Sequence, residues 1–134
     1  MIFAVYFFSL LSLWARPAPA VPDSPITETI QTSLTTGNAS QLAGRFAKTI
    51  ELIIDTEKID FTAIEATHAQ LILRSFFRRH PPHCFEFVYK GASDQLRYST
   101  GTYEADGQLF SVYVLMRQNS QQQYVINTLH FRRE

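Results

Sequence analysis

The chain has 134 residues, 46% of them hydrophobic and 13% aromatic, with twelve Lys and Arg balanced by twelve Asp and Glu. That length supports one domain, and eleven Phe and six Tyr can build a bulky core or line an aromatic cavity. A formal charge of zero lacks the basic excess of a nucleic-acid or anionic-membrane binder, so no nucleic-acid partner is expected.

The first element in chain order is the apolar run from Ile2 to Trp14. It falls short of the ~20 residues that a membrane-spanning helix needs. It leads into Arg16-Pro17-Ala18-Pro19-Ala20, where Ala18 and Ala20 form the small-x-small pattern that a signal peptidase reads. Residues 1–20 are therefore read as a signal peptide cleaved after Ala20, and 21–134 as a single exported domain, periplasmic or extracellular. No stable membrane span remains after cleavage. No Lys or Arg precedes the apolar run, which departs from the usual charged start of a signal. There is no Cys at the cleavage site, so no lipid anchor is expected. The single cysteine, Cys84, cannot form an internal disulfide. It is read as a small buried hydrophobe at a strand start.

Ile26, Ile30 and Leu34 recur at one-turn spacing and predict a helix that stops at Gly37-Asn38. Leu42 and Phe46 continue that spacing, so a short second helix is expected over 39–46. Ile50 to Asp55 reads as a strand rich in β-branched residues, followed by a turn or ragged loop over 56–61. A third helix is predicted from near Thr62, carrying Ile64, Leu71, Leu73, Phe76 and Phe77. Arg74, Arg78 and Arg79 suit its carbonyl end, and Pro81-Pro82 stops it. The rest alternates as strands: Cys84 to Lys90, Leu96 to Glu104, Gln108 to Arg117 and Tyr124 to Phe131. In the first of these, Phe85, Phe87 and Tyr89 are expected on one face. Gly101 suggests a bulge or bend, and Asp106-Gly107 a tight hairpin turn. Helices gathered on one face of an antiparallel sheet make an α+β layout.

The run TIELIIDTEKIDFTAIEATHAQLILRSFFRRHPP, the aromatic strand ending Lys90-Gly91 and the hairpin GTYEADGQLFSVYV together resemble the DUF4783 family. These are small exported proteins of unknown function, mostly from Bacteroidetes, within the NTF2-like (cystatin-like) superfamily. The likeness covers Ile30 to Glu134. It implies a cone in which N-terminal helices pack on a strongly curved antiparallel sheet. It also implies a homodimer through the outer sheet face. It carries no catalytic motif, so no catalytic residue is transferred.

Candidate chemistry is correspondingly sparse. His80-Pro81-Pro82-His83-Cys84 offers soft ligands, but the prolines hold the backbone extended and no second ligand pair exists, so no metal site is expected. A thiol nucleophile at Cys84 would need a lowered pKa that nothing nearby supplies. The basic clusters Arg74/Arg78/Arg79 and Arg132/Arg133 read as solvated ends. Tyr89, Tyr98, Tyr103, Tyr113 and His130 are the candidate ligand-binding residues, as aromatics on the strands of the cone. No cofactor is expected. The leading reading is a non-catalytic module that binds a small apolar ligand in the cone or an envelope protein across its sheet. The alternative is a small cofactor-free isomerase or dehydratase, which would need a buried Asp or Glu beside a Tyr. Phe76, Phe77, Phe85, Phe87 and Phe110 decide between them, because a cone filled by these rings has room for neither ligand nor reaction.

Overall fold

The computed structural model describes residues 25–134, and the expected signal peptide with its cleavage point lies outside them. In chain order the elements are helix α1 (Pro25–Thr36), helix α2 (Ala39–Ala43), strand β1 (Phe46–Ile54), a 3₁₀ turn (Asp55–Glu57), strand β2 (Ile59–Glu65), helix α3 (Ala66–Arg79), and strands β3 (Cys84–Ser93), β4 (Leu96–Ala105), β5 (Gln108–Gln118) and β6 (Tyr124–Arg133). The strands form one six-stranded sheet in the order β2-β1-β6-β5-β4-β3. This is the expected α+β class.

Each helix begins and ends for a legible reason. Ile26, Ile30 and Leu34 are fully buried along one stripe of α1. Asn38 then caps α2, its Oδ1 accepting the Gln41 N–H at 3.0 Å. In α3, Ala69, Leu73, Phe76 and Phe77 make the buried stripe. The chain leaves that helix after the His80 N–H bonds the Phe76 carbonyl, and Pro81-Pro82 follows.

Four of the expected boundaries move. Helix α2 stops at Ala43, so β1 opens at Phe46 rather than Ile50. The segment read as loop and helix start is strand β2, which pairs antiparallel with β1 from Ile54↔Ile59 to Thr49↔Glu65. Lys58, with φ +54°, turns the chain between them. Pairing with a neighbouring strand outweighs helix propensity over Thr62–Glu65, and α3 begins four residues later than expected. Leu71, counted with the apolar stripe, is 55% exposed.

The sheet is mixed rather than wholly antiparallel. Strand β1 runs parallel to β6, with Ile53 beside His130 and Ile54 beside Phe131. The other neighbours are antiparallel. Asp106 and Gly107 both have positive φ, as a two-residue hairpin turn requires, and join β4 to β5.

One face of the sheet is dry. Ile50, Leu52 and Ile54 of β1, Ser99, Gly101, Tyr103 and Ala105 of β4, Phe110, Val112, Val114 and Met116 of β5, and Leu129 and Phe131 of β6 are all buried. The rings of Phe76, Tyr103, Phe110 and Phe131 meet there with centroids 4.8–5.9 Å apart. Phe77 and Phe85 are buried with them, and Phe87 is half-buried against the core. The interior of the cone is therefore occupied by aromatic side chains.

Candidate functional site

The five candidate residues divide between the two faces of the sheet. Tyr103 is fully buried in the aromatic cluster, and its hydroxyl donates to the His80 carbonyl at 2.5 Å. Burial pushes its phenol well above the ordinary range, because the charged form would lie among rings. The other four lie on the outer face, away from the helices.

Their placement follows from strand register. Along β4, burial alternates as the sequence pattern anticipates, with Ser99, Gly101 and Tyr103 inside and Tyr98, Thr100, Thr102 and Glu104 outside. Tyr113 of β5 is paired with Thr100 on one side and His130 on the other. On β3 the simple alternation fails. Phe87 is opposite Gly101 but Tyr89 is opposite Thr100, so Val88 is an extra, bulged residue. The bulge turns Tyr89 from the face of Phe85 and Phe87 to the outer face. Gly101 sits beneath it, where a Cβ would lie 2.5 Å from the Phe85 ring and 2.7 Å from the Glu86 carbonyl oxygen.

A band of polar aromatics results. The Tyr89 and Tyr98 rings are 6.0 Å apart, and hydrogen bonding to the Tyr89 hydroxyl raises the Tyr98 phenol first, followed by the charge of Tyr89. Farther along, the Tyr113 and His130 rings are 5.5 Å apart, and His130 Nε2 lies 3.2 Å from Glu51 Oε1. Tyr113, His130 and Glu51 come from β5, β6 and β1, so this group spans the parallel junction of β1 with β6. Val88 and Tyr89 are 71% and 55% exposed.

Cys84 opens β3 as expected but is exposed rather than buried. It pairs with Glu104 across the β3–β4 ladder, and its Sγ donates to Glu104 Oε2 at 3.3 Å. That carboxylate pushes the thiol upward, away from a reactive thiolate. His80 and His83 do not converge on it. His80 is held at the other end of the same loop, its ring 5.0 Å from Phe76 and its Nε2 3.8 Å from Glu57 Oε1. Glu57 also takes Arg79 at 2.6 Å. This Glu57–Arg79–His80 group fastens the 3₁₀ turn to the end of α3, and sequence reading missed it. The only available signal was the acidic turn facing a basic helix end. Among the described residues no group of three His, Cys, Asp or Glu is placed to hold a metal ion.

The model of DUF4783, a domain of unknown function, matches residues 27–132. The chain belongs to the DUF4783 family. A DUF4783 protein from Bacteroides uniformis is 20% identical, with a TM-score of 0.74 over 84% of this chain and 98% of that one. A second, from Bacteroides fragilis, is 19% identical, with a TM-score of 0.73 over 84% and 100%. An NTF-2 like protein of unknown function from Silicibacter pomeroyi is 11% identical, with a TM-score of 0.61 over 81% and 90%. At these identities the likeness is one of fold, and this DUF4783 chain has the NTF2-like, cystatin-like architecture. A comparison with curated proteins finds no match. No helix among the described residues is long and apolar enough to cross a membrane.

Proposed function

We propose that this DUF4783 chain is an exported, non-catalytic interaction module that pairs with a second copy of itself through the outer face of its sheet. The observation that carries the reading is the division of the two faces. The inner face is filled by Phe76, Phe77, Phe85, Tyr103, Phe110 and Phe131. The outer face presents Tyr89, Tyr98, Tyr113 and His130, and among the described residues no helix is packed over them. Tyr and His rings bury apolar area while keeping a polar edge, which suits a surface that is wet alone and covered when paired.

The enzymatic reading needs a buried acid beside a Tyr. Here the buried hydroxyl is that of Tyr103, and it is engaged by a backbone carbonyl. Export is supported by the apolar run at 2–14 and the Ala18-x-Ala20 pattern.

Sedimentation equilibrium of the protein purified from its producing cells tests the pairing, and N-terminal sequencing of the same material tests the cleavage. The expected results are a dimer and a mature chain beginning at Val21. Tyr113→Glu is expected to give a folded monomer, since it places a charge at the centre of the covered face. A wild-type protein that stays monomeric at high concentration overturns the pairing, and a chain that begins at Met1 overturns the export.

A further inference from the structure

A second feature lies away from both the aromatic core and the outer face. At the end of the sheet where β5 turns into β6, a cleft of about 630 Å³ opens between the start of α1, the α2–β1 connection and that turn. Such a volume is in the range that holds a small organic molecule. Its walls are Pro25 and Ile26 of α1, Gly44 and Arg45, Arg97 of β4, and Gln122 to Val125.

The charge of this lining is one-sided. Among the described residues it contains two guanidinium groups and no carboxylate. Arg45 and Arg97 are both half-buried, and among the described residues neither makes an ion pair. A chain of zero net charge thus concentrates two unmatched cations in one concavity. The Arg97 guanidinium lies over the Tyr124 ring, 4.2 Å from its centroid. This cation–π contact holds the guanidinium in the cleft, where its N–H groups can grip a two-oxygen anion.

The cleft is also held in shape without a ligand. The Ile126 N–H bonds the Arg45 carbonyl at 2.8 Å and anchors the rim. Asn119 Oδ1 accepts the N–H groups of Gln121 and Gln123 at 2.9 and 3.0 Å, and Gln118 Nε2 donates to the Gln122 carbonyl at 3.1 Å. The turn that carries Gln122 and Gln123 is therefore ordered by its own bonds. Pro25, Val125 and the Tyr124 ring supply apolar wall beside the cations.

We propose that this cleft binds a small amphipathic carboxylate. The anion pairs with Arg97 and Arg45, the amides of Gln122 and Gln123 complete its hydrogen bonding, and the apolar body lies against Pro25, Tyr124 and Val125. The class is set by the juxtaposition of a guanidinium held over an aromatic ring with apolar wall. A bare inorganic anion would use only half of the lining.

The test is a chemical-shift titration of the isotope-labelled protein with octanoate, octanol and inorganic phosphate as three separate probes. Octanoate is expected to saturate, with shifts gathered at Arg45, Arg97 and Tyr124 to Ile126. Octanol lacks the anion and phosphate lacks the apolar body, and each is expected to bind at least about tenfold more weakly. Arg97→Gln is expected to weaken octanoate about tenfold or more, the loss of one charge-assisted contact. Arg45→Gln, on a rim held by its backbone, is the second variant should Arg97→Gln disturb the sheet. The proposal is overturned by shifts that never saturate or that map elsewhere. It is equally overturned by an octanoate affinity unchanged in both folded variants, or by phosphate binding as tightly as octanoate. None of these readouts depends on the oligomeric state, so this site and the outer-face pairing stand or fall separately.

Discussion

The two faces of the sheet use the same residue types for opposite purposes. On the inner face Tyr103 is a core ring whose hydroxyl satisfies a carbonyl at the end of α3. On the outer face Tyr89, Tyr98 and Tyr113 stand among Thr, His and Glu, and solvent reaches them. Chemistry at the side chain does not separate them; the pleat and one bulged residue do. Tyr89 lies on the outer face because Val88 is inserted opposite Gly101. A tyrosine in a cone-shaped fold is therefore a site candidate only after its register is known.

This contrast can be broken from the inner side first. Phe76→Ala removes the ring that touches Tyr103, Phe110 and Phe131, and should cost ~3–5 kcal/mol in chemical denaturation. Gly101→Ala is expected to cost ~1–3 kcal/mol, because the new methyl meets the Phe85 ring and the unyielding Glu86 carbonyl. A Gly101→Ala protein as stable as wild type would show that the β3 bulge is not held by this contact.

Tyr103→Phe tests the hydroxyl alone and should cost about 1 kcal/mol at neutral pH. It also carries a pH signature. The Tyr103 phenol is raised in the folded state, so above its ordinary value of 10.0 the unfolded chain releases the proton while the folded chain keeps it. The stabilisation is complete below that pH and is lost as pH rises toward the folded value. Wild type should therefore lose stability above pH 10.0 more steeply than Tyr103→Phe, as denaturation midpoints across the alkaline range would record.

The outer face should respond least. Tyr113→Ala removes a cross-strand contact with His130 and should cost the isolated monomer no more than ~1 kcal/mol. A loss as large as that of Phe76→Ala would erase the distinction between the faces. The smallest effect is kinetic. Glu104→Gln should speed modification of Cys84 by a disulfide reagent at neutral pH, since the carboxylate now holds the thiol protonated.

Much of this architecture is legible in the chain. The i, i+4, i+8 spacing of Ile26, Ile30 and Leu34 marks α1, and Asp106-Gly107 places a hairpin turn where the structure has one. The alternation of β4 assigns Tyr98 and Tyr103 to opposite faces as observed. The misses share a cause: they depend on partners distant in sequence. Strand β2 is a strand because β1 lies beside it, and Thr62 and Ala63 carry no signal of that pairing. The reversal at Val88 depends on how β4 passes Gly101. Cys84 has the composition of a buried residue, yet the ladder sets it outward beside Glu104. The cleft lining was invisible for the same reason, since Arg45, Arg97 and Tyr124 belong to three separate segments.

The parallel junction of β1 with β6 also governs how the sheet can fold. Strand β6 follows the other five described strands in the chain, yet it lies between β1 and β5. Asp55, just after β1, is tied to Arg133 across 78 residues of sequence. The hairpins can form between neighbouring strands, but the two halves of the sheet cannot join until β6 meets β1. That joining carries the entropic cost of closing a very long loop, which makes it a slow step of folding. Until then the apolar faces of both halves stay open to water, so the junction that completes the sheet also completes the core.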